Sequence, residues 1–302
     1  MLIFKPVEIE DKEKITAYTY PGDYHNCDYA FANMCSWRFL YDSEYAIQDG
    51  FLFIRFYIEI KERKHVAYMF PVGDGDLQQA IERMEKDSDA QGHSLLILGV
   101  TPESQKKLET LFSANFTFIP ERDYYDYIYL REDLIALIGK KYQPKRNHIN
   151  QFKKRYDYVY LPLTKEIIPE CRKLEQIWYE ANRAEDNNED LFHERRSMCF
   201  AMEHFDELGL VGGAIVVDDK IVAFTYGSPV NHTTFGVHVE KADIRYDGIF
   251  SVICQEFAKH IPQQYIFINR EEDLGLPGLR KSKLSYHPYL LLEKYSAIKH
   301  RL

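Results

Sequence analysis

The stretch TTFGVHVEKADIRYDGIF, residues 233–250, decides the fold class, because a predicted strand leads directly into a predicted helix. Apolar and polar residues alternate from 235 to 240, which is the period of two of a β-strand. A helix is predicted to follow over residues 248–260. The residues between them form a short turn that contains Arg245 and Gly248.

The elements around this stretch extend the pattern into a sheet flanked by helices. Two further strands precede it, and short polar turns join all three into an antiparallel meander. Another strand follows the helix. The predicted strands are 210–217, 220–228, 233–240 and 265–269, and the predicted preceding helices are 165–183 and 194–208.

The first ~130 residues predict a separate α/β or α+β unit with a mixed sheet. Aromatic runs at 51–58 and 65–70 flank the charged turn 61–64, a pattern typical of a β-hairpin. Residues 76–87 carry apolar side chains at helical spacing. We therefore predict an N-terminal domain over 1–140 and a C-terminal domain over 141–302.

The order of elements in the second half resembles the core of the GCN5-related N-acetyltransferases (GNAT). In that fold the strand-to-helix turn carries the pattern Q/R-x-x-G-x-G/A, and the start of the helix binds a pyrophosphate. Arg245 and Gly248 match the pattern, but Phe250 replaces its small residue. Two interpretations stay open: a degenerate phosphate turn for acyl-CoA, or an ordinary helix start.

A basic segment lies at residues 140–155, where seven Lys and Arg occur without an acidic residue. Asparagines between basic residues suit phosphate or carboxylate binding. We therefore regard Lys145, Arg146, Asn147 and Asn150 as candidate anion-binding residues. The alternative is a basic helix face that only contacts water.

Strand 233–240 carries a candidate catalytic pair. Alternation predicts that Gly236, His238 and Glu240 point to one face of the sheet. A histidine and a glutamate beside a small residue can act as a general base and a substrate contact. The alternative is a half-exposed strand whose polar face meets water.

The densest group of charges lies at residues 269–283, directly after the last predicted strand. Acids precede bases there, so the loop can bind a cation and an anion side by side, as an amino acid or an aminoacyl ester presents them. Arg280 and Lys283 share a helix face. The alternative is an exposed charged loop. The candidate residues are Asn269, Arg270, Glu271, Asp273, Arg280 and Lys283.

Composition excludes several classes of protein. The 302 residues carry a net charge of −9, which argues against a generic nucleic-acid coat protein. No apolar run approaches the ~18–20 residues of a membrane span, and no signal peptide is recognisable. Five cysteines without a C-x-x-C pair predict reduced thiols and a cytoplasmic location. Neither metal-ligand nor nucleophile motifs occur, so we expect no metal and no covalent mechanism.

Four stretches together resemble the phosphatidylglycerol lysyltransferase C-terminal domain family, in its soluble bacterial branch. The resemblance implies two tandem GNAT-like domains, a fold shared with Fem-type aminoacyltransferases. Family members transfer an amino acid from charged tRNA to a lipid headgroup, but this sequence lacks their transmembrane region. The stretches are KRNHINQF (145–152), AFTYG (223–227), VHVEKAD (237–243) and NREEDLG (269–275) running into GLRKSK (278–283).

The expected activity is acyl or aminoacyl transfer to an amine or hydroxyl acceptor. Aminoacyl-tRNA is the leading donor, bound through its 3′ end, and acyl-CoA is the second. Peripheral contact with anionic lipid is also expected. The alternative is a non-catalytic ligand-binding module of the same fold. We assign catalytic roles to His238, Glu240, Glu271 and Asp273, and binding roles to Lys145, Arg146, Asn147, Asn150, Arg245, Gly248, Asn269, Arg270, Arg280 and Lys283.

Overall fold

The computed structural model describes residues 2–22, 24–182 and 189–300. Helices flank two mixed, mostly antiparallel sheets, which confirms the predicted fold class. The chain separates into two compact units. The first unit contains residues 1–126, 272–280 and 291–302, and the second contains 127–271 and 281–290.

The helices and strands follow one another from Lys5 to Lys299. In chain order they are β1 (Lys5–Pro6), α1 (Lys12–Thr19), α2 (Phe31–Tyr41), β2 (Glu44–Gln48), β3 (Phe51–Ile60), β4 (Arg63–Met69), β5 (Val72–Gly73), α3 (Leu77–Ala90), β6 (Leu96–Val100), α4 (Pro102–Phe112), β7 (Phe116–Pro120), β8 (Asp126–Leu130), α5 (Arg131–Ala136), α6 (Gln143–Arg155), β9 (Tyr158–Pro162), α7 (Ile168–Asn182), α8 (Glu189–Glu203), α9 (Phe205–Leu208), β10 (Val211–Val217), β11 (Lys220–Pro229), β12 (Thr234–Ala242), α10 (Ile249–His260), β13 (Phe267–Asn269), α11 (Pro277–Leu284), β14 (Leu290–Leu292) and β15 (Tyr295–Lys299).

The sheet of the first unit runs in the order β1–β2–β3–β4–β6–β15–β7, and β5 pairs with β3. Strands β3 and β4 form the hairpin predicted from the aromatic runs. Their turn places Lys61 and Glu62 at φ values of 51° and 61°, in the left-handed region. Ile81 of α3 and Leu108 of α4 are fully buried in the same apolar core as Phe53.

The sheet of the second unit includes the strand order β8–β13–β12–β11–β10–β9. Strands β10, β11 and β12 form the predicted antiparallel meander. Helix α10 then leads to β13, which lies parallel to β12. The core on this side joins Phe152 of α6, Val252 of α10 and Ile215 of β10. The predicted strand–helix–strand arrangement is therefore present.

Strand β12 contains one residue more than the segment of β11 opposite it. Tyr226 pairs with Val239, but the next residue, Gly227, pairs with Val237, so His238 has no residue opposite it. A β-bulge of this kind interrupts the alternation of side chains. This corrects the expectation that His238 and Glu240 share one face: His238 bonds to β11, whereas Glu240 lines a cavity with residues of α10.

The two units interleave along the chain. Strand β8 pairs with β13 in the second unit. Near the C-terminus, β15 pairs with both β6 and β7 of the first unit. The predicted division into domains 1–140 and 141–302 differs from these contact units and stays a prediction.

Candidate functional site

The candidate site begins where β12 and β13 stop pairing. The last pair in the register is Gly236 with Asn269. Beyond it, two consecutive residues after β13 contact different residues of β12: Arg270 binds Glu240, and Glu271 binds His238. The end of the parallel pairing thus opens space that four charged or titratable side chains fill.

The Glu240–Arg270 pair is buried against a small cavity. Nη2 of Arg270 donates to Oε1 of Glu240 at 3.0 Å, and the side chains are 12% and 15% exposed. Val237, Phe257 and Ile268 supply apolar walls to the cavity, whose volume is about 10 Å³. A cavity of this size holds about one water molecule. A larger ligand group therefore enters only if the surrounding side chains move.

The guanidinium of Arg270 has unused hydrogen-bonding capacity. Its Nη1 is buried and finds no partner among the residues that the structure describes. A buried unsatisfied donor is destabilising, and native structures contain few of them. Burial by itself would lower the pKa of Arg270, but nearby groups, including Cys254 and Glu240, raise it well above its usual value. Arg270 is therefore a protonated donor available to a ligand.

Tyr286 joins Arg270 to Lys145 of α6. The Arg270 guanidinium lies 4.9 Å from the centre of the Tyr286 ring, and the Lys145 ammonium lies 3.8 Å from it. Burial, and then the charge of Arg270, lower the pKa of Lys145. Two cations thus accompany the single carboxylate of Glu240. The cluster has a surplus of positive charge, which favours an anionic or carbonyl oxygen.

His238 lies in a chain of hydrogen bonds with a serine and a glutamate. Its Nδ1 is 2.7 Å from Oε1 of Glu271, and its Nε2 is 2.7 Å from Oγ of Ser228. Ser228 is 3% exposed. Because the Glu271 carboxylate accepts from Nδ1–H, Nε2 is the nitrogen that accepts a proton.

Asn269 fixes the backbone beside this chain. Its Oδ1 accepts from the amide of Glu271 at 2.6 Å. Glu271 adopts φ of 57°, a left-handed conformation that non-glycine residues rarely take. Strain of this kind clusters at functional sites. The predicted residues Asn269, Arg270 and Glu271 thus form one continuous turn that serves both clusters.

The other basic residues of α6 have different surroundings. Nη1 of Arg146 donates to the carbonyls of Leu137 and Gly139, the latter at 2.7 Å, and so caps the C-terminal end of α5. Asn147 and Asn150 are exposed. Among the predicted anion-binding residues of this helix, Lys145 is the one that the structure brings to the Arg270 cluster.

The predicted phosphate turn is occupied by contacts within the protein. Nε and Nη2 of Arg245 donate to Asp243 at 2.6–3.0 Å. Gly248 has φ of 88°, and a Cβ there would lie 2.6 Å from the carbonyl oxygen of His148. The glycine is therefore required by the close approach of α6, whether or not a phosphate binds. Phe250 is 42% exposed.

Lys283 supports the turn from α11. Its Nζ donates to the carbonyl of Arg270 at 2.6 Å, and its own carbonyl accepts from the hydroxyl of Tyr129 at 2.8 Å. Lys283 is 8% exposed. This geometry makes it a group that positions the backbone of Arg270.

Asp273 and Arg280 belong to the first unit and bind each other. Nε and Nη2 of Arg280 donate to Asp273 at 2.9 and 2.7 Å, and Arg122 donates to it at 3.1 Å. Arg280 also binds Asp123 at 2.6 Å. Asp273 is fully buried, and both of its oxygens are engaged, as expected of a carboxylate that anchors a loop. Convergence of these two residues with His238 stays a prediction.

One group in the first unit has the composition of a metal site. Ligand atoms of Cys27, Asp126 and Glu272 lie within 4.8 Å of one another. The ammonium of Lys294, however, lies 2.8 Å from Asp126 and 3.0 Å from Asp28. Burial, followed by the charge of Asp126, raises the pKa of the Cys27 thiol well above its usual value. A lysine thus supplies the positive charge here, and the sulfur is held as a thiol.

Sequence reasoning missed Ser228, Cys254 and Tyr286. Ser228 lies in an apolar strand and no motif surrounds it, so only the β11–β12 register reveals its contact with His238. Cys254 and Tyr286 reach the Arg270 cluster from α10 and from the turn after α11. Pairing across distant segments carries no local sequence signal.

Across the described residues, the helices fall short of the length and apolar character that crossing a bilayer requires.

Comparison with known proteins identifies similar chains. The family described as phosphatidylglycerol lysyltransferase, C-terminal, matches residues 22–298. A conserved protein of unknown function from Bacteroides thetaiotaomicron VPI-5482 is 48% identical, with a TM-score of 0.95 over 99% of this chain and 100% of that one. An uncharacterised protein of Mycoplasmoides gallisepticum is 24% identical over 173 residues, 56% of this chain, and the match spans 54% of that relative, about half its length.

Two more distant structures share the fold. L-PGS from Bacillus licheniformis is 16% identical, with a TM-score of 0.63 over 97% of this chain and 93% of that one. FemX is 8% identical, with a TM-score of 0.62 over 98% of this chain and 97% of that one. The predicted resemblance and the predicted Fem-type fold are confirmed.

Proposed function

Since the chain belongs to the phosphatidylglycerol lysyltransferase C-terminal family, we propose that it transfers an amino acid from aminoacyl-tRNA to an amine or hydroxyl acceptor. The observation that carries this proposal is the buried Glu240–Arg270 pair, whose guanidinium keeps one unpartnered N–H beside a small cavity.

The pair matches the polar groups of an aminoacyl ester. The ester has an ammonium that a carboxylate such as Glu240 can bind, and a carbonyl oxygen that Nη1 of Arg270 can bind. When the carbonyl is attacked, negative charge develops on that oxygen, and a positioned cationic donor stabilises it. The cavity beside these groups has a volume of about 10 Å³, so an aminoacyl side chain enters it only if the surrounding residues move.

His238 is the general base of the proposed reaction. Glu271 holds its Nδ1–H at 2.7 Å, and Nε2, which contacts Ser228 Oγ at 2.7 Å, is the nitrogen that would take a proton from an attacking group, directly or through that hydroxyl. Glu271 thereby orients the imidazole and stabilises the imidazolium that forms. A hydroxyl or ammonium acceptor must lose a proton to attack an acyl carbon, so this base is required.

Helix α6 is the proposed contact for the 3′ end of the tRNA. Lys153 and Lys154 are exposed on it, and Lys145 faces the Arg270 cluster. In a chain of net charge −9, this local basic face is the segment suited to phosphates. The proposal places the reaction in the cytoplasm, where charged tRNA is found. Contact with anionic lipid through the same helix stays a prediction.

Acyl-CoA is the second candidate donor, and the strand-to-helix turn argues against it. Arg245 is committed to Asp243, and the backbone of His148 lies against Gly248. A pyrophosphate at this turn would compete with contacts that are already formed. The non-catalytic alternative predicts ligand binding without turnover.

A transfer assay tests the proposal. Purified protein is incubated with total tRNA charged with labelled amino acids, together with small amines or phosphatidylglycerol vesicles, and label in the acceptor is counted. We expect transfer by the wild type and a loss of about a hundredfold in Arg270→Lys, because lysine lacks the planar fork that can bind Glu240 and the carbonyl oxygen at once.

The control is Lys173→Met, since Lys173 pairs with an exposed glutamate, Glu170, at 2.6 Å in the same unit. It should transfer at nearly the wild-type rate. Transfer of an acyl group from acyl-CoA, without transfer from aminoacyl-tRNA, would show that acyl-CoA is the donor. Thermal stabilisation by aminoacyl-adenosine analogues without any transfer would favour the binding module.

A further inference from the structure

The second unit contains a nucleophile with the base and the orienting carboxylate that activate it. We propose that Ser228 is transiently acylated by the donor ester, so that transfer occurs in two steps through an acyl-enzyme. The identity of the donor rests on the proposed function. The existence of the nucleophile rests on the geometry of Ser228, His238 and Glu271.

The two hydrogen bonds that link Ser228, His238 and Glu271 are short, and all three residues lie in the second unit. Ser228 Oγ is 2.7 Å from His238 Nε2, and His238 Nδ1 is 2.7 Å from Glu271 Oε1. A hydroxyl, an imidazole and a carboxylate in this order form the arrangement that activates serine nucleophiles on unrelated folds. Because Nε2 already contacts Ser228, the first proton that His238 can take is that of Ser228.

The backbone around Ser228 brings its hydroxyl and the imidazole of His238 together. Ser228 pairs with Gly236 on β12, so no side chain stands opposite the hydroxyl. A Cβ on Gly236 would come within 3.1 Å of His238 Cε1. The bulge at His238 aims the imidazole at β11, and β-bulges often re-aim side chains near active sites. The imidazole and Val230 Cγ2 fill the space above Gly236, so an acyl group reaches Ser228 only when these side chains move.

Glu271 is a positioning residue in this proposal. Its side chain is 18% exposed, and it reaches His238 from a turn with φ of 57°. Non-glycine residues keep such a conformation only when other contacts fix it, here the 2.6 Å bond from its amide to Asn269.

The proposed step balances without any further reactant. Ser228 Oγ attacks the acyl carbon of the ester, and its proton passes to His238 Nε2. The bond from the acyl carbon to the ribose oxygen breaks, and that oxygen takes the proton from Nε2. The acceptor then gives its proton to Nε2 and attacks the Ser228 ester, and Ser228 Oγ leaves with that proton. Ser228 is 3% exposed, so water has little access to the intermediate.

Covalent labelling tests the nucleophile without tRNA. The full chain is treated with p-nitrophenyl acetate and, separately, with phenylmethanesulfonyl fluoride, and adducts are located by intact mass and peptide mapping. We expect one adduct per chain, at Ser228, and its loss in Ser228→Ala. Ser197→Ala is the matched control, because Ser197 is a buried serine of α8, and it should label as the wild type does.

Glu271→Gln should lower the labelling rate at least about tenfold, and Glu271→Asp should restore part of it, which a purely structural role does not predict. Failure of both reagents to modify Ser228, or equal labelling of Ser228→Ala, overturns the proposal. The aminoacyl-tRNA assay separates the two proposals. Wild-type transfer by Ser228→Ala overturns the acyl-enzyme alone, whereas labelled Ser228 without any transfer overturns the proposed donor alone.

Discussion

Both units bury basic side chains, but the units differ in how many of the donor groups on those side chains have hydrogen-bond partners. In the first unit, the three nitrogens of Arg55 donate to Glu44 and Asp87 at 2.6–2.9 Å. Lys294, 3% exposed, binds both Asp28 and Asp126. In the second unit, Arg270 has one carboxylate partner, Glu240, and a buried Nη1 without a partner among the described residues.

This difference predicts which buried cations stabilise the fold and which can bind a ligand. A buried cation surrounded by carboxylates has its desolvation offset by its neighbours, and removing it leaves those carboxylates uncompensated. A buried cation with an unused N–H retains a destabilising deficit that a ligand can remove. We therefore expect changes in the Lys294 cluster to affect folding and changes at Arg270 to affect substrate binding.

The largest effect is expected for Lys294→Met. It leaves Asp126, which is fully buried, without its closest cation, and should lower the free energy of unfolding by ~3–5 kcal/mol. Urea denaturation measures this loss. Lys64→Met is the control, because Lys64 and Asp42 are each 60% exposed, and it should change the free energy by less than ~1 kcal/mol. Equal losses in the two variants would contradict the comparison.

The second prediction concerns the Glu240–Arg270 pair and distinguishes it most clearly from the Lys294 cluster. The double variant Glu240→Gln with Arg270→Met removes the pair without leaving a buried charge. Its free energy of unfolding should stay within ~1 kcal/mol of the wild-type value or rise, because neutral replacements of buried pairs are often tolerated. Transfer should fall about a hundredfold. A stability loss as large as that of Lys294→Met would show that Arg270 is structural.

Gly248→Ala tests whether the start of α10 is required for packing. The substituted Cβ would lie 2.6 Å from the His148 carbonyl oxygen, at φ of 88°. We expect a loss of ~1–3 kcal/mol in the free energy of unfolding, from strain and overpacking. Thermal unfolding that matches the wild type would contradict the account of this glycine and leave a phosphate role open.

The smallest effect is expected on acidification. Burial by itself would raise the pKa of Asp11, but hydrogen bonds from Tyr45 and Lys5 lower it from 3.8 to about 2. A folded-state pKa below the unfolded value stabilises the protein above pH ~4, and this contribution disappears as the pH falls through 2. Asp11→Asn should remove about 1 kcal/mol of that acid dependence, because its partners Lys5 and Lys14 are exposed and solvent screens their charges. An unchanged acid transition would contradict the assignment.

Much of the fold could be predicted because its signals are local. The alternation in 233–240 and the helix at 248–260 correspond to β12 and α10 within two residues at each end. The paired aromatic runs likewise correspond to β3 and β4. Period and turn residues suffice for such elements. By contrast, the insertion of β15 between β6 and β7 joins segments almost 200 residues apart and has no local pattern.

Several residues of the candidate site could be predicted from the sequence, but the residues that they contact could not. Arg270 and Glu271 could be singled out because both directly follow an apolar strand. Their partners depend on the bulge at His238, which places His238 and Glu240 on different faces of β12. Ser228 was invisible for the same reason. Strand register is set by long-range pairing, and a shift of one residue moves a side chain to the other face.

The most direct test of the central claim is the affinity for a non-hydrolysable aminoacyl-adenosine analogue, measured by calorimetry on the wild type, Arg270→Met and Lys64→Met. The account predicts binding by the wild type and by Lys64→Met, and a dissociation constant at least about a hundredfold higher for Arg270→Met, whose unused donor is gone. Equal affinity of all three proteins would contradict it.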